Sequence, residues 1–276
     1  MLLKVFITGV SSGIGAAIAE NLCASGHFVY GTVRKTEDGL RLSKAFPNHF
    51  RPILYDVCDI ESLPKIASQV YHVDDHLDVL INNAGIAVSG PMELLSDEDI
   101  EKQIDVNLKA VIRITNAFIP GLIKSCSGTV INISSVSARF TSPMLGAYSI
   151  SKYALEAATD AYRRELLPWN VKVYSIQPGP IKTPIWEKAG QEMKDYSNSR
   201  YGPFMPSANM ILKRSVRIAE PPEKIARLAA KIIKNRPSKT KFLSTGNVFF
   251  YKVFLRILPA SWMDRLILAQ VKKHMK

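Results

Sequence analysis

The sequence predicts a doubly wound parallel α/β sheet, because short β-rich apolar runs alternate with helical patterns and the runs are apolar almost without interruption. Parallel strands joined by crossover helices are covered on both faces, so they lose the polar alternation of a half-exposed sheet. The runs occupy residues 2–8, 28–33, 52–56, 77–82, 129–134 and 171–176. Helical patterns fill residues 13–25, 60–73, 97–124 and 148–167. The first run passes directly into a glycine turn, and its apolar part is too short for a signal-peptide core, so it is read as a strand.

Composition narrows the class further. With 276 residues, 47% hydrophobic and 22% charged, the chain matches average globular content, which excludes disorder, collagen-like repeats and a disulfide scaffold. No repeat or linker divides residues 1–246, which are read as one domain, with residues 247–276 as a C-terminal extension. Cys23, Cys58 and Cys126 are odd in number and widely spaced, which points to a reducing, cytoplasmic compartment. No run of about 18 uncharged apolar residues occurs, so no transmembrane helix is expected. The net charge of +12 is uneven. Residues 1–212 hold 20 Lys and Arg against 21 Asp and Glu, whereas residues 213–276 hold 16 against 3. A tail this basic suggests a surface that meets something anionic.

The rhythm breaks after Pro184. Residues 185–215 carry Met193, Tyr196, Tyr201, Phe204, Met205 and Met210 among Gly, Pro, Ser and Asn, and are read as a substrate lid.

The turn after the first strand reads Thr8-Gly9-Val10-Ser11-Ser12-Gly13-Ile14-Gly15 and opens a helix. Gly9 can make the tight turn, Gly13 can let the backbone approach a pyrophosphate, and Gly15 can let the helix pack close to the sheet. The helix start, with Ser11, Ser12 and Ile14, then faces phosphates with free N–H groups and a positive dipole end. A cofactor without a 2′-phosphate wants a carboxylate at the end of the second strand, and a 2′-phosphate wants an arginine. Here Arg34 and Lys35 precede Glu37 and Asp38, so NADP(H) is favoured.

Tyr148 and Lys152 are four apart at the start of a helical pattern and share a face. Such a pair arises about once by chance in this composition. Its context gives it meaning, because Ser135 ends the apolar run 129–134 on the carboxyl side of the sheet, where ligands bind. An adjacent ammonium and an oxidised nicotinamide favour the phenolate of a tyrosine whose free pKa is about 10. Tyr148 could then exchange a proton with a substrate oxygen that Ser135 hydrogen-bonds.

Together with Asp56, Asn82-Asn83-Ala84-Gly85, Asn107 and Pro178-Gly179-Pro180-Ile181-Lys182-Thr183, these residues make the chain resemble the short-chain dehydrogenase/reductase family. The resemblance covers residues 1 to about 184, extends more loosely to about 246, and lies nearest the hydroxysteroid and retinol dehydrogenase branch. It implies a Rossmann-type fold and hydride transfer between nicotinamide and a hydroxyl or carbonyl carbon. It also implies that Lys152 holds the nicotinamide ribose and that Asn107 organises a water relaying protons to the lysine. Asp56 and Val57 would meet adenine, and Asn83 and Gly85 the adenosine ribose. Pro178, Gly179, Ile181 and Thr183 would surround the nicotinamide and pyrophosphate. Ser12 stands where some NADP-dependent members carry a basic residue, so Arg34, with Lys35, must hold the phosphate alone.

Arg139, Phe140, Met144 and Leu145 lie between the serine and the tyrosine and are expected to line an apolar substrate pocket. Residues 248–268 interleave aromatics and leucines with Lys and Arg, which matches a segment lying on a membrane interface. The expected activity is NADP(H)-dependent interconversion of a ketone and an alcohol on a small lipophilic substrate. The expected protein has no metal and no nucleic-acid partner, forms a homo-oligomer, and makes peripheral contact with an anionic membrane. The competing reading is a nucleotide-binding sensor or scaffold docked through its basic tail; the complete serine, tyrosine and lysine set argues against it.

Overall fold

A computed structural model describes residues 2–73, 75–206, 210, 216–246, 248 and 259–272. Strands β1 (Lys4–Ile7), β2 (Phe28–Val33), β3 (Phe50–Leu54), β4 (Val79–Asn82), β5 (Thr129–Ile133), β6 (Lys172–Pro178) and β7 (Lys241–Ser244) form one sheet in the order β3-β2-β1-β4-β5-β6-β7. Every pairing is parallel. The winding reverses between β1 and β4, which opens a crevice beyond their carboxyl ends.

Helices bounded among the described residues are α1 (Gly13–Ala24), α2 (Thr36–Ala45), α3 (Leu63–Val73), α4 (Asp97–Ile104), α5 (Ala110–Lys124), α6 (Gly146–Glu165), α7 (Pro184–Gln191), α8 (Glu223–Asn235) and α9 (Ala260–Lys272). Alternation along the strands sends side chains into two cores. Val5 and Ile7 join Ile18, Leu22, Ile225 and Ile232 of α1 and α8, whereas Phe6 joins Val70, Ile114 and Phe118 of α3 and α5. Coverage of both faces explains why the inner strands carry apolar residues on both sides, with buried polar residues such as Asn82, Asn132 and Ser175 among them.

Several elements escape the apolar-run pattern. α2 buries only Gly39 and Leu42, too little for an apolar stripe. β7 is a four-residue edge strand that begins at a lysine. α8 does bury Ile225, Ala226, Ala229, Ile232 and Ile233 at helical spacing, a signal that lies beyond the regular strand and helix alternation. The segment expected to be an aperiodic lid begins as a helix, because Pro184 occupies the first turn of α7 after Thr183. Residues 207–209 and 211–215 of that segment, and 247, 249–258 and 273–276 of the extension, fall outside the described residues.

The helical pattern 97–124 is interrupted by a π turn at Asp105–Lys109 between α4 and α5. By length and composition this run could cross a bilayer, but Phe118 and Leu122 are fully buried in the core beneath the sheet. A ladder of buried polar groups fixes α6 on the sheet. Asn82 Nδ2 donates to Thr115 Oγ1 at 3.0 Å and to Asn132 Oδ1 at 2.8 Å, and Asn132 Nδ2 donates to Thr159 Oγ1 at 2.9 Å. Hydrogen bonds between buried side chains of this kind specify one register for the helix that carries Tyr148, although Asn82 Oδ1 itself is left without a partner among the described residues.

Candidate active site

The glycine turn sits at the switch point. Gly9 has φ +71° and Gly13 φ +61°, the left-handed region that glycine enters without strain. A Cβ on Gly15 would lie 2.2 Å from the Gly9 carbonyl oxygen, and one on Gly13 2.9 Å from Thr183 Cγ2. Both neighbouring strands hold the turn. Gly9 N donates to Thr32 Oγ1 at 2.9 Å, and Asn83 Nδ2 donates to the carbonyls of Thr8 and Gly9, each at 2.9 Å. The amide of Asn83 thus fastens the glycine turn, a task that its expected place beside a ribose did not include.

Ser12 precedes α1 without making a side-chain cap, and the first turn of α1 holds no acidic residue. Its N–H groups are therefore left for an anion. Ser11 and Ser12 are exposed and Ile14 is half-buried. At the end of β2, Arg34 and Lys35 are exposed and make no ion pair or side-chain hydrogen bond with another described residue. Glu37 and Asp38 sit in the first turn of α2, where the helix dipole favours them. Asp56 is exposed and Val57 half-buried beyond β3, and Asp56 Oδ1 accepts from Cys58 N at 2.9 Å, an Asx turn. A cradle that Cβ atoms would fill, an uncapped helix start and two uncommitted cations fit a dinucleotide with a 2′-phosphate.

Across the crevice, Gly179 N donates to Ser244 O at 2.7 Å, and a Cβ on Gly179 would lie 3.0 Å from Thr245 Cβ. Pro178 ends β6, Ile181 is buried, and Thr183 starts α7 without a side-chain cap. The Gly13 and Thr183 contact shows that the two sides of the expected pyrophosphate site meet.

Ser135, Tyr148 and Lys152 converge. Tyr148 and Lys152 are 5% and 4% exposed on one face of α6. The Ser135 side chain lies near enough to the Tyr148 phenol to draw its pKa down, and it accepts from Ser137 N at 3.1 Å. Lys152 Nζ lies 5.8 Å from the Tyr148 ring centroid and donates to Ile133 O at 2.9 Å. Burial lowers the Lys152 pKa to about 8, opposed by the nearby charge of Glu156. Burial also holds the Tyr148 phenol above its ordinary range, although the nearby Ser135 side chain draws it down. Without the charge of an oxidised nicotinamide, the protein alone keeps the phenol protonated, the form a proton donor needs.

Asn107 lies in the π turn, a distortion often found at functional sites. Its Oδ1 accepts from Ile86 N at 2.9 Å, and its Nδ2 donates to Ile86 O and to Ser151 Oγ, both at 3.0 Å. With its side chain so engaged, Asn107 ties α6 to the loop after β4. A Cβ on Gly85 in that loop would lie 3.3 Å from Asn107 Oδ1 and 3.8 Å from Lys152 Nζ, so Gly85 keeps the approach to the lysine open.

The expected substrate residues differ in burial and in what holds them. Arg139 is exposed, and its Nε donates to Gln177 Oε1 at 2.5 Å, which ties it to β6. Phe140, Met144 and Leu145 are half-buried; Met144 has φ +67°, and its carbonyl accepts from Gly90 N at 2.9 Å. Trp186 of α7, absent from the expected set, packs edge-on against Tyr148 at 5.7 Å between ring centroids. Ala87, Ile185 and Ala189 complete this apolar patch. Its signal was an aromatic two residues after the proline that starts α7. Glu156 was also missed, although it lies one helical turn beyond Lys152.

The sequence profile described as short chain dehydrogenase matches residues 4–194. An NADPH-dependent 3-dehydrocapnine reductase of Ornithobacterium rhinotracheale is 35% identical over 97% of this chain and 96% of its own. A 3-ketodihydrosphingosine reductase of Bacteroides thetaiotaomicron is 34% identical, covering 90% of each. A short-chain dehydrogenase from Streptomyces avermitilis, solved as a crystal structure, superposes with a TM-score of 0.77 at 26% identity, over 99% of this chain and 96% of its own. The profile spans the glycine turn through α7, and the relatives align over nearly the whole sequence: the chain belongs to the short-chain dehydrogenase family.

Proposed function

We infer that the chain is an NADP(H)-dependent oxidoreductase that interconverts a ketone and an alcohol on a lipophilic substrate. The observation that carries this is the buried meeting of Ser135, Tyr148 and Lys152 at the carboxyl edge of the sheet, beside a glycine turn shaped for a dinucleotide. Gly9, Gly13 and the start of α1 would hold the pyrophosphate, and Arg34 with Lys35 the 2′-phosphate. When bound, the dinucleotide supplies or accepts the hydride. In ketone reduction, Tyr148 donates a proton to the carbonyl oxygen while Ser135 hydrogen-bonds that oxygen and stabilises its developing charge. Lys152 places a positive charge beside the phenol, which eases the departure of the proton. Two relatives, an NADPH-dependent 3-dehydrocapnine reductase and a 3-ketodihydrosphingosine reductase, support both the cofactor and a lipophilic ketone. So do Trp186, Ile185, Ala87 and Ala189 packed against the tyrosine.

A panel of 3-ketodihydrosphingosine, steroid, retinoid, 3-oxoacyl and sugar carbonyl compounds, followed by NADPH absorbance and repeated with NADH, tests this. Turnover of a lipophilic carbonyl compound with NADPH is expected, and turnover confined to sugars would overturn the substrate class. Tyr148→Phe is expected to lower kcat by about 10²–10⁴-fold, the range for loss of general acid catalysis. Unchanged turnover in that variant would remove the assigned proton donor and favour a nucleotide sensor.

The proposal includes peripheral attachment to an anionic membrane. It is supported by the basic residues of 213–276 and by the exposure of Trp262, Leu266 and Leu268 on α9. It also includes self-association on the outer face of α6, where Ile150 and Tyr153 are exposed, and a reducing cytoplasmic setting, in keeping with three free cysteines.

A further inference from the structure

Behind the tyrosine and lysine lies a second charged cluster. Glu156 is on α6 one turn beyond Lys152 and is 7% exposed. Its Oε1 accepts from Ser175 Oγ of β6, and Ser134 and Gln177 lie beside the same carboxylate. Lys241 Nζ of β7 lies 3.0 Å from Glu156 Oε2 and 2.9 Å from Asp160 Oδ2, and Asp160 in turn lies 3.5 Å from Arg163. One carboxylate therefore ties α6 to β6 and β7, beside the end of β5. Ser134, one of its neighbours, stands between Ile133, whose carbonyl holds Lys152, and Ser135.

We propose that Glu156 is a positioning residue for the proton-transfer pair: it keeps a fixed negative charge one helical turn behind Lys152, with Lys241 as its counterweight, and steadies the end of β5 beside Ser135. The proposal rests on the assignment of Tyr148 and Lys152 as the reacting pair. The charged and titratable groups facing Glu156 are Lys152 and Asp160 on α6 and Lys241 on β7; Arg139 reaches it only through Gln177. Burial alone would raise the Glu156 carboxyl pKa, but the polar surroundings of Ser175, Gln177, Lys241 and Ser134 outweigh that and hold it low, so it is ionised at neutral pH. A negative charge there favours protonated Lys152 against the burial that would discharge it. Lys241 screens this effect, so the two neighbours act on the pair with opposite sign.

The opposite signs make the test. NADPH affinity, read by its fluorescence, and kcat/KM for a ketone that the enzyme reduces are each measured from neutral to alkaline pH. Lys152→Met identifies the limb that belongs to the lysine by erasing it. Glu156→Gln should move that limb to lower pH by about one pH unit, the size expected for removing one partly screened charge within a helical turn. Lys241→Gln, which leaves Glu156 and Asp160 uncompensated, should move it to higher pH, and Glu156→Asp should restore it toward the wild-type position. Limbs that stay in place, or that move the same way in both charge-removing variants, would overturn the proposal, because a purely structural role lowers the amplitude without opposed displacements. If Glu156→Gln does not fold, the direction in Lys241→Gln decides alone. If Lys152→Met and Tyr148→Phe leave turnover and the limb untouched, the underlying assignment of the pair fails instead.

Discussion

Replacing Lys152 with methionine should stabilise the ligand-free protein while removing its turnover. The ammonium is 4% exposed, and burial takes its pKa from 10.5 to about 8. At about 1.4 kcal/mol for each tenfold change, keeping the charge in the fold costs about 3 kcal/mol. Methionine has a similar length and no charge, but it loses the 2.9 Å hydrogen bond from the charged amine to Ile133 O, worth about 1.5–2 kcal/mol at the lower end for a charged donor. A net gain of about 1–1.5 kcal/mol remains, equivalent to a Tm rise of about 2–5 °C in a chain of this size. The pH dependence carries the sign. The folded-state pKa is depressed, so between about pH 8 and about pH 10.5 the unfolded chain binds more protons than the folded one. The charge penalty is complete below that window and disappears as pH rises through it. Urea unfolding of wild type and variant near neutral pH and near the top of the window should therefore show a gap that narrows with pH. A variant that is no more stable than wild type, or a gap independent of pH, would refute the burial argument.

Arg34→Ala should weaken NADPH binding by about 10–100-fold, the loss of one charge-assisted contact, and leave NADH binding nearly unchanged; isothermal titration with both nucleotides checks this. Gly15→Ala would set a Cβ 2.2 Å from the Gly9 carbonyl oxygen, so the turn must shift, and a loss of about 1–3 kcal/mol in urea unfolding is expected together with loss of NADPH affinity. Sedimentation with anionic liposomes should capture the protein at low salt and release much of it at high salt, since the attraction of the basic tail is screened; absence from the pellet at both would dismiss the membrane contact.

Much of the site could be read from order and spacing. Strand, glycine turn and helix recur in a local pattern that any parallel crossover imposes, so Gly9, Gly13 and Gly15 reveal themselves by conformation alone. Tyr148 and Lys152 share a face because a helix returns every 3.6 residues, and Ser135 follows a strand whose carboxyl end must face the crevice. Arg34 also stands out locally, since a carboxylate at that place would have excluded the 2′-phosphate.

Only the tertiary structure decided which neighbours these groups have. Asn83 and Asn107 spend their side chains on backbone carbonyls and on Ser151, contacts between segments distant in sequence. Trp186 reaches Tyr148, and Lys241 reaches Glu156, through strand order and helix placement that no short window encodes. The same holds for the pKa values, because desolvation depends on everything packed around a group and not on its position along the chain. Sequence periodicity determined the elements and the residue types at their ends; burial and the long-range hydrogen bonds determined how strongly each of them is charged and held.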